Sequence, residues 1–287
     1  MGILAANNAN ETRIVDDEIS DTSSFISFAP VSVIRRQGRL FLLGLLLAAS
    51  ARADWLAVTS KTERSIQAGV EHRHVTVAEN DRGSEAIVDL ALFSTKSATI
   101  RVIDNPNGAD LAETARREKA VAGVNGGYFD PEDKPVGLMI ADGQLIAPLR
   151  KAGLLSGLLF VTEGRSQLLR VAEYSSKRKA SAALQCGPFL VDHAAPVAGL
   201  NHTKTARRTF VAQSGSDRVA IGSCSDVTLA ELGSILTTTI LAPDFKIQRA
   251  LNLDGGSSSA FWFAGERGPV SISEMKTVRN FVVVVPR

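Results

Sequence analysis

Over residues 86–103 the apolar positions fall into two short aliphatic runs, 86–93 (AIVDLALF) and 99–103 (TIRVI), split by Ser94-Thr95-Lys96-Ser97. Short apolar runs bounded by turn residues predict strands. After the turn Asn105-Pro106-Asn107-Gly108 the spacing changes. Good helix formers over 111–119 (LAETARREK) put Leu111, Ala112 and Ala115 on one side, with Asp110 placed to cap them. A small-residue strand is predicted over 120–125, running into Gly126-Gly127. Three hairpins follow, around Asp142-Gly143 (139–146), Glu163-Gly164-Arg165 (158–171) and Ser214-Gly215-Ser216-Asp217 (209–221). They predict antiparallel sheet.

The clearest helix begins at Thr228. Thr228-Leu229-Ala230-Glu231 is a capping box, in which hydroxyl and carboxylate each satisfy a free N–H of the first turn. Leu229, Leu232, Leu236 and Ile240 make the apolar stripe, Pro243 stops it, and Gly233 inside it points to close packing. A strand is expected over 250–254, where Leu251 and Leu253 alternate with Asn252 and Asp254 before the chain turns through Gly255-Gly256. The run 281–285 (FVVVV) predicts a strand buried on both faces. No repeat or linker divides 54–287. The pattern predicts one α+β domain, with a mixed, mainly antiparallel β-sheet covered by a few helices.

The N-terminal part reads differently. Arg35-Arg36-Gln37-Gly38-Arg39 precedes an apolar run over 40–49 and then Ser50-Ala51-Arg52-Ala53, the layout of a secretory signal cleaved before Asp54. The run is shorter than the roughly 20 residues a membrane span needs, so no stable span is expected after cleavage. Residues 1–34 are polar and acidic, with Asp16-Asp17-Glu18 and Asp21, which points to a true start near Val31 or Val33. Export places the protein in the periplasm or outside the cell. There Cys186 and Cys224 meet oxidising conditions, and a disulfide and two separately buried thiols are both open.

Composition narrows the function classes. The 287 residues are 45% hydrophobic and 22% charged, with a net charge of +2 and two cysteines. This is an ordinary globular balance, without the basic, aromatic-interleaved stretches of a nucleic-acid binder and without a Cys₄ zinc site. His72, His74, His193 and His202 show no H-x-x-x-H spacing. No cofactor is called for; acids and carbonyls leave calcium open.

Four polar clusters interrupt the regular pattern: Asn125-Gly126-Gly127-Tyr128-Phe129-Asp130, Cys186-Gly187-Pro188-Phe189-Leu190, Arg207-Arg208-Thr209, and Asn252-Leu253-Asp254-Gly255-Gly256-Ser257-Ser258. With the closing Val278-Arg279-Asn280-Phe281-Val282-Val283 they resemble, in order and spacing, the phosphodiester glycosidase family over about 86–287. Tyr128 stands for a usual Phe, Ser257 for a third glycine, and residues 222–226 (GSCSD) lack an Asp-Gly-Arg often found before the helix.

The resemblance implies hydrolysis of a sugar-1-phosphodiester, on a small-molecule or polymeric phosphoglycan substrate. Ordinary glycosidases need two carboxylates because an alcohol leaving group must be protonated. A phosphomonoester leaves as a stable anion, so one carboxylate suffices if cations hold the phosphate. This implies Asp254 as nucleophile or base and Arg208 on the phosphate, with Arg207 in reserve. Asn125 is expected to bind a sugar hydroxyl, orient water or simply bond backbone. The Gly126-Gly127 and Gly255-Gly256 amides are expected to form an anion-binding concavity. Thr209, Ser257 and Ser258 are candidate substrate contacts, and Tyr128 is either a stacking platform or core. Asp130 is a second acid or a turn start. The rival reading is a non-catalytic exported module that binds anionic polysaccharide, which would tolerate Asp254→Asn.

Overall fold

The computed structural model describes residues 54–80 and 83–287. The signal-peptide segment and the start near Val31 or Val33 lie outside the described residues. In chain order the elements are β1 (Trp55–Arg64), β2 (Glu71–Glu79), β3 (Glu85–Ser94), β4 (Ala98–Asp104), α1 (Leu111–Arg117), β5 (Ala122–Asn125), β6 (Met139–Ala141), β7 (Gln144–Ala147), β8 (Gly157–Thr162) and β9 (Arg165–Arg170). They continue with β10 (Ala182–Cys186), β11 (Phe189–Asp192), β12 (Ala195–Pro196), β13 (Ala206–Ser214), β14 (Arg218–Val227), α2 (Leu229–Thr238), β15 (Arg249–Asn252), β16 (Phe261–Gly265), β17 (Gly268–Ile272) and β18 (Asn280–Pro286).

All three expected hairpins form, as β6–β7, β8–β9 and β13–β14. The strands sort into three sheets rather than one. An eight-stranded sheet runs β1-β2-β3-β14-β13-β15-β11-β12, and two five-stranded sheets run β7-β6-β10-β8-β9 and β17-β16-β5-β18-β4. The α+β class holds with a strong β bias, and the pairs between these strands are antiparallel throughout. Residues of all three sheets share one core: Phe93, Val211, Ile221 and Leu251 from the first, Met139, Leu159 and Leu184 from the second, Ile100, Val124 and Val282 from the third.

Each helix covers an outer face. Leu232, Ile235 and Leu236 of α2 pack with Leu190, Phe210 and Ala250 of the large sheet, and Leu111 and Ala115 of α1 pack with Trp262, Phe281 and Val283. Both caps are as expected: Asp110 accepts from the Glu113 N–H at 2.6 Å, and the Thr228–Glu231 box closes both ways. Gly233 is a packing glycine, since a Cβ there would lie 2.9 Å from Leu200 Cδ1 and 3.3 Å from the Leu190 carbonyl oxygen. One boundary differs. The α2 stripe stops at Leu236, the helix ends at Thr238, and Ile240 is 73% exposed. Three consecutive threonines, poor helix formers, end it well before Pro243.

β18 is buried over its first five residues, as a continuous apolar run implies. The hairpin β1–β2 was not legible in the sequence because most of β1 is exposed and its residues carry no single-faced alternation. Cys186 and Cys224 are free, buried thiols in separate cores, which resolves the alternative against a disulfide.

Candidate active site

The site forms where the large sheet meets the β17–β4 sheet. β15 lies between β13 and β11, and the chain leaving it stays attached to both sheets. The Leu253 N–H donates to the Thr209 carbonyl at 2.8 Å, and the Asp254 N–H to the Gly126 carbonyl at 3.0 Å. Asp254 is therefore fixed two residues beyond the last strand pair, between β13 and the end of β5. The strand expected to reach Asp254 ends at Asn252 because these two bonds divert the backbone to different neighbours.

Asn125 ends β5 fully buried, with its amide spent on the protein. Its Nδ2 donates to the Asp254 carbonyl at 2.8 Å, while Oδ1 accepts from Thr209 Oγ1 at 2.6 Å and from the Ala260 N–H at 3.0 Å. It binds both ends of the loop that carries Asp254. Of the roles open to it, the geometry favours bonding to backbone, and Thr209, also fully buried, serves Asn125.

Asn280, first residue of β18, does the same for the Gly126-Gly127 turn. Its carbonyl accepts from the Gly126 N–H at 2.8 Å and its Oδ1 from the Gly127 N–H at 2.7 Å. Those two amides are thus engaged within the protein, and the anion-binding concavity expected there does not form. The glycine at 126 answers to space: a Cβ would fall 2.0 Å from Asn280 Oδ1. Gly126→Ala is expected to destabilise the fold by about 1–3 kcal/mol, the usual cost of overpacking, measured by urea unfolding; unchanged stability would contradict this role.

The second glycine pair is also steric in part. A Cβ at Gly255 would lie 2.9 Å from the Arg207 carbonyl oxygen, and Gly256 has φ +65°. Only there is the left-handed region required, which glycine enters without strain. Ser257, where a third glycine is usual, keeps a negative φ inside the 3₁₀ turn Gly256–Ser258 and is exposed, so serine fits.

The Asp254 carboxylate accepts the Gly255 N–H at 2.9 Å through Oδ1. Burial raises its pKa, opposed by Ser258, by that N–H and by the charge of Lys276. The Ser258 hydroxyl is buried and outside ordinary hydrogen-bond geometry, yet it supports the ionised carboxylate electrostatically. Lys276, absent from the sequence expectations, sits 4.7 Å over the Phe129 ring. Its loop is pinned to the Asp254 turn by the Met275 N–H donating to the Ser257 carbonyl at 2.7 Å.

Arg208 is 9% exposed and ends in backbone: Nε donates to the Val227 carbonyl at 2.9 Å and Nη2 to the Lys204 carbonyl at 2.5 Å. Among the described residues no carboxylate pairs with it directly. Burial lowers its pKa, and the surroundings of Tyr128, Cys224, Asp226 and Glu231 support the charge. Its Nη1 lies 3.9 Å from where a Gly255 Cβ would stand, so the terminal end of the guanidinium reaches the Asp254 turn. The fork through Nε and Nη2 is taken, while Nη1 has no hydrogen-bond partner among the described residues.

Arg207 takes a different course. Nε donates to the Gly256 carbonyl at 3.3 Å and Nη1 to the Ser273 carbonyl at 3.2 Å, bracing the turn after Asp254 against the Lys276 loop. Tyr128 packs against the main core, and its hydroxyl donates to the Gly187 carbonyl at 2.5 Å and accepts from Asn252 Nδ2 at 3.2 Å. Burial holds that phenol well above its usual pKa, and the hydroxyl is engaged within the protein while the partly buried ring packs against the core. Asp130 is a turn start, its Oδ1 accepting from the Glu132 and Lys134 N–H groups at 3.1 and 2.8 Å. Burial pushes the Cys186 thiol up, away from nucleophilic use. No group of three or more His, Cys, Asp or Glu side chains among the described residues is arranged to hold a metal ion.

Asn280 and Asn252 were visible only as parts of motifs, since their side-chain partners come from distant strands. Lys276 carried no sequence signal.

No curated protein matches the chain. The catalytic domain of zebrafish N-acetylglucosamine-1-phosphodiester alpha-N-acetylglucosaminidase, solved in a form auto-inhibited by its pro-peptide, is similar with a TM-score of 0.60 and 16% identity, covering 80% of this chain and 89% of that one. A hypothetical protein from Synechocystis has a TM-score of 0.55 and 15% identity, covering 80% of this chain and 64% of that one. A candidate exported protein of Burkholderia pseudomallei gives 0.51 and 12%, covering 71% and 75%. At these identities the likeness is one of fold. The family model for phosphodiester glycosidases matches residues 118–285, a span that holds Asn125, Arg208, Asp254, Lys276 and Asn280, and the chain belongs to the phosphodiester glycosidase family.

Proposed function

We propose that the protein is an exported hydrolase that cleaves the sugar–oxygen bond of a sugar-1-phosphodiester in a glycan or envelope polymer. The observation that carries this reading is one partly buried carboxylate, Asp254, on a turn that the end of the buried Arg208 reaches, with no carboxylate among the described residues paired directly with that arginine. A buried cation is costly unless an anion joins it, and the free end of Arg208 is turned to the Asp254 turn. Arg208 and Lys276 hold the phosphate. Asp254 supplies electrons to the sugar carbon, either directly, forming a glycosyl ester whose sugar–oxygen bond water then breaks to free the sugar and the carboxylate, or through a water it deprotonates. The C–O bond breaks with its electron pair going to the phosphate oxygen, so a phosphomonoester leaves as an anion without needing an acid. Asn125, Thr209 and Asn280 position the loop, and Arg207 braces it.

Incubating the protein beginning at Asp54 with a panel of sugar-1-phosphodiesters tests this: free sugar and phosphomonoester are expected in equal amounts from at least one, and none from any would overturn it. Export is tested by N-terminal sequencing of secreted material, expected to begin at Asp54.

The pH profile carries a sign. Burial raises the Asp254 pKa, and the reacting form is the carboxylate, so kcat/KM is expected to rise with pH through a value above that of an ordinary aspartate, about 3.9. Lys276 favours the carboxylate, so Lys276→Gln is expected to move that acid limb to higher pH. A limb that stays put or moves lower would separate Lys276 from Asp254.

A further inference from the structure

A cavity of about 300 Å³ lies on the Arg207 side of the loop, lined by His74, Asp89, Ser223, Ser225, Ser259 and Arg207, with Ile87, Val270 and Ile272 as apolar wall. Its back is a polar row laid down by strand register. His74 pairs with Asp89, Asp89 with Ser223, and Ser223 with Thr209, across β2, β3, β14 and β13. Asp89 is 4% exposed, and its Oδ1 receives two imidazoles, His72 Nε2 at 2.8 Å and His74 Nδ1 at 2.9 Å. His72 packs against the Phe261 and Phe263 rings, with centroids 5.3 and 5.2 Å away. The His74 ring is thereby fixed through Nδ1, which leaves Nε2 as its free nitrogen; the side chain is 38% exposed.

Two further groups on this wall have nothing to bond. Ser259 is 1% exposed with its hydroxyl buried and unpartnered, and Arg207 Nη2 is likewise buried and unpartnered while Nε and Nη1 hold Gly256 and Ser273. A buried donor left unmade costs on the order of 1–3 kcal/mol, and both residues that carry one line this cavity. Ser225 Oγ already accepts the Ile87 N–H at 2.9 Å, so its O–H is a further donor.

We propose that this cavity is a second binding site, distinct from the Asp254 carboxylate, for a small amphiphilic anion: a phosphate or carboxylate head held by Arg207, Ser259 and His74, with an apolar body against Ile87, Val270 and Ile272. The cation and hydroxyl select oxyanions, and the aliphatic wall selects against a bare ion. The site stands whether or not Asp254 performs hydrolysis.

Isothermal titration with hexyl phosphate, hexanoate and inorganic phosphate tests it, on wild type and on Ile87→Trp, Arg207→Gln and Arg208→Ala. Ile87 is 42% exposed, so Trp there is tolerated by the fold, checked by an unchanged melting temperature, while it fills the cavity; hydrolysis is expected to persist. Hexyl phosphate is expected to bind saturably, more tightly than inorganic phosphate. Its affinity should fall by about tenfold or more in Ile87→Trp and Arg207→Gln, the scale of one charged hydrogen bond or a lost apolar wall, and hold in Arg208→Ala. Equal affinity for hexanoate assigns the head group to oxyanions in general, and weaker affinity assigns it to phosphate. Binding that survives Ile87→Trp but is lost in Arg208→Ala places the ligand at Asp254 and overturns the proposal, as does no binding of either hexyl compound.

Discussion

Asp254→Asn is expected to lower kcat/KM for a sugar-1-phosphodiester by about 10⁴-fold or more, the scale seen when a sole reacting group is removed. The change is nearly isosteric and keeps an oxygen to accept the Gly255 N–H. The backbone bonds to Gly126 and Asn125 do not involve the side chain, so the loop should hold. Stability supplies an independent check. A carboxylate whose folded pKa is raised above its unfolded value binds its proton more tightly when folded, so it weakens the fold as pH rises through the unfolded value, and the cost is complete above the folded one. At neutral pH the amide escapes that cost, and the variant should melt at the same temperature or higher. An inactive protein with a lowered melting temperature would point to damage rather than chemistry. An active one would remove Asp254 as the reacting group.

Arg208→Ala should cost about 10²-fold or more on the phosphodiester, the usual toll for removing a group that stabilises developing negative charge. Part of that loss is structural, because the guanidinium also caps the Val227 and Lys204 carbonyls. A phosphate-free aryl glycoside of the same sugar measures that structural part alone. The two losses should differ by at least about tenfold if Arg208 holds phosphate, and equal losses would leave Arg208 a scaffold residue.

Local chemistry made much of the fold legible. The three hairpins, both helix caps and the buried β18 are set by turn residues, a capping box and a continuous apolar run, each complete within a few residues of sequence. What local pattern does not encode is which strand pairs with which, and three sheets around one core arise from pairings such as β3 with β14 and β5 with β18. The site divides the same way. Asp254 and Arg208 stand out by type and setting. The work of Asn125, however, depends on partners 84, 129 and 135 residues away, and Lys276 enters only because the Met275–Ser257 bond brings its loop alongside. The glycines show the limit clearly: Gly126-Gly127 reads as a nest for an anion, but Asn280, more than 150 residues later, takes both amides.

Which bond breaks, sugar–oxygen or phosphorus–oxygen, is read by running the hydrolysis in ¹⁸O-labelled water and recording the phosphorus signal of the released phosphomonoester. Attack at the sugar carbon leaves every phosphate oxygen unlabelled, and a signal without an isotope shift is expected. A phosphomonoester carrying one solvent ¹⁸O would mean cleavage at phosphorus and would contradict it.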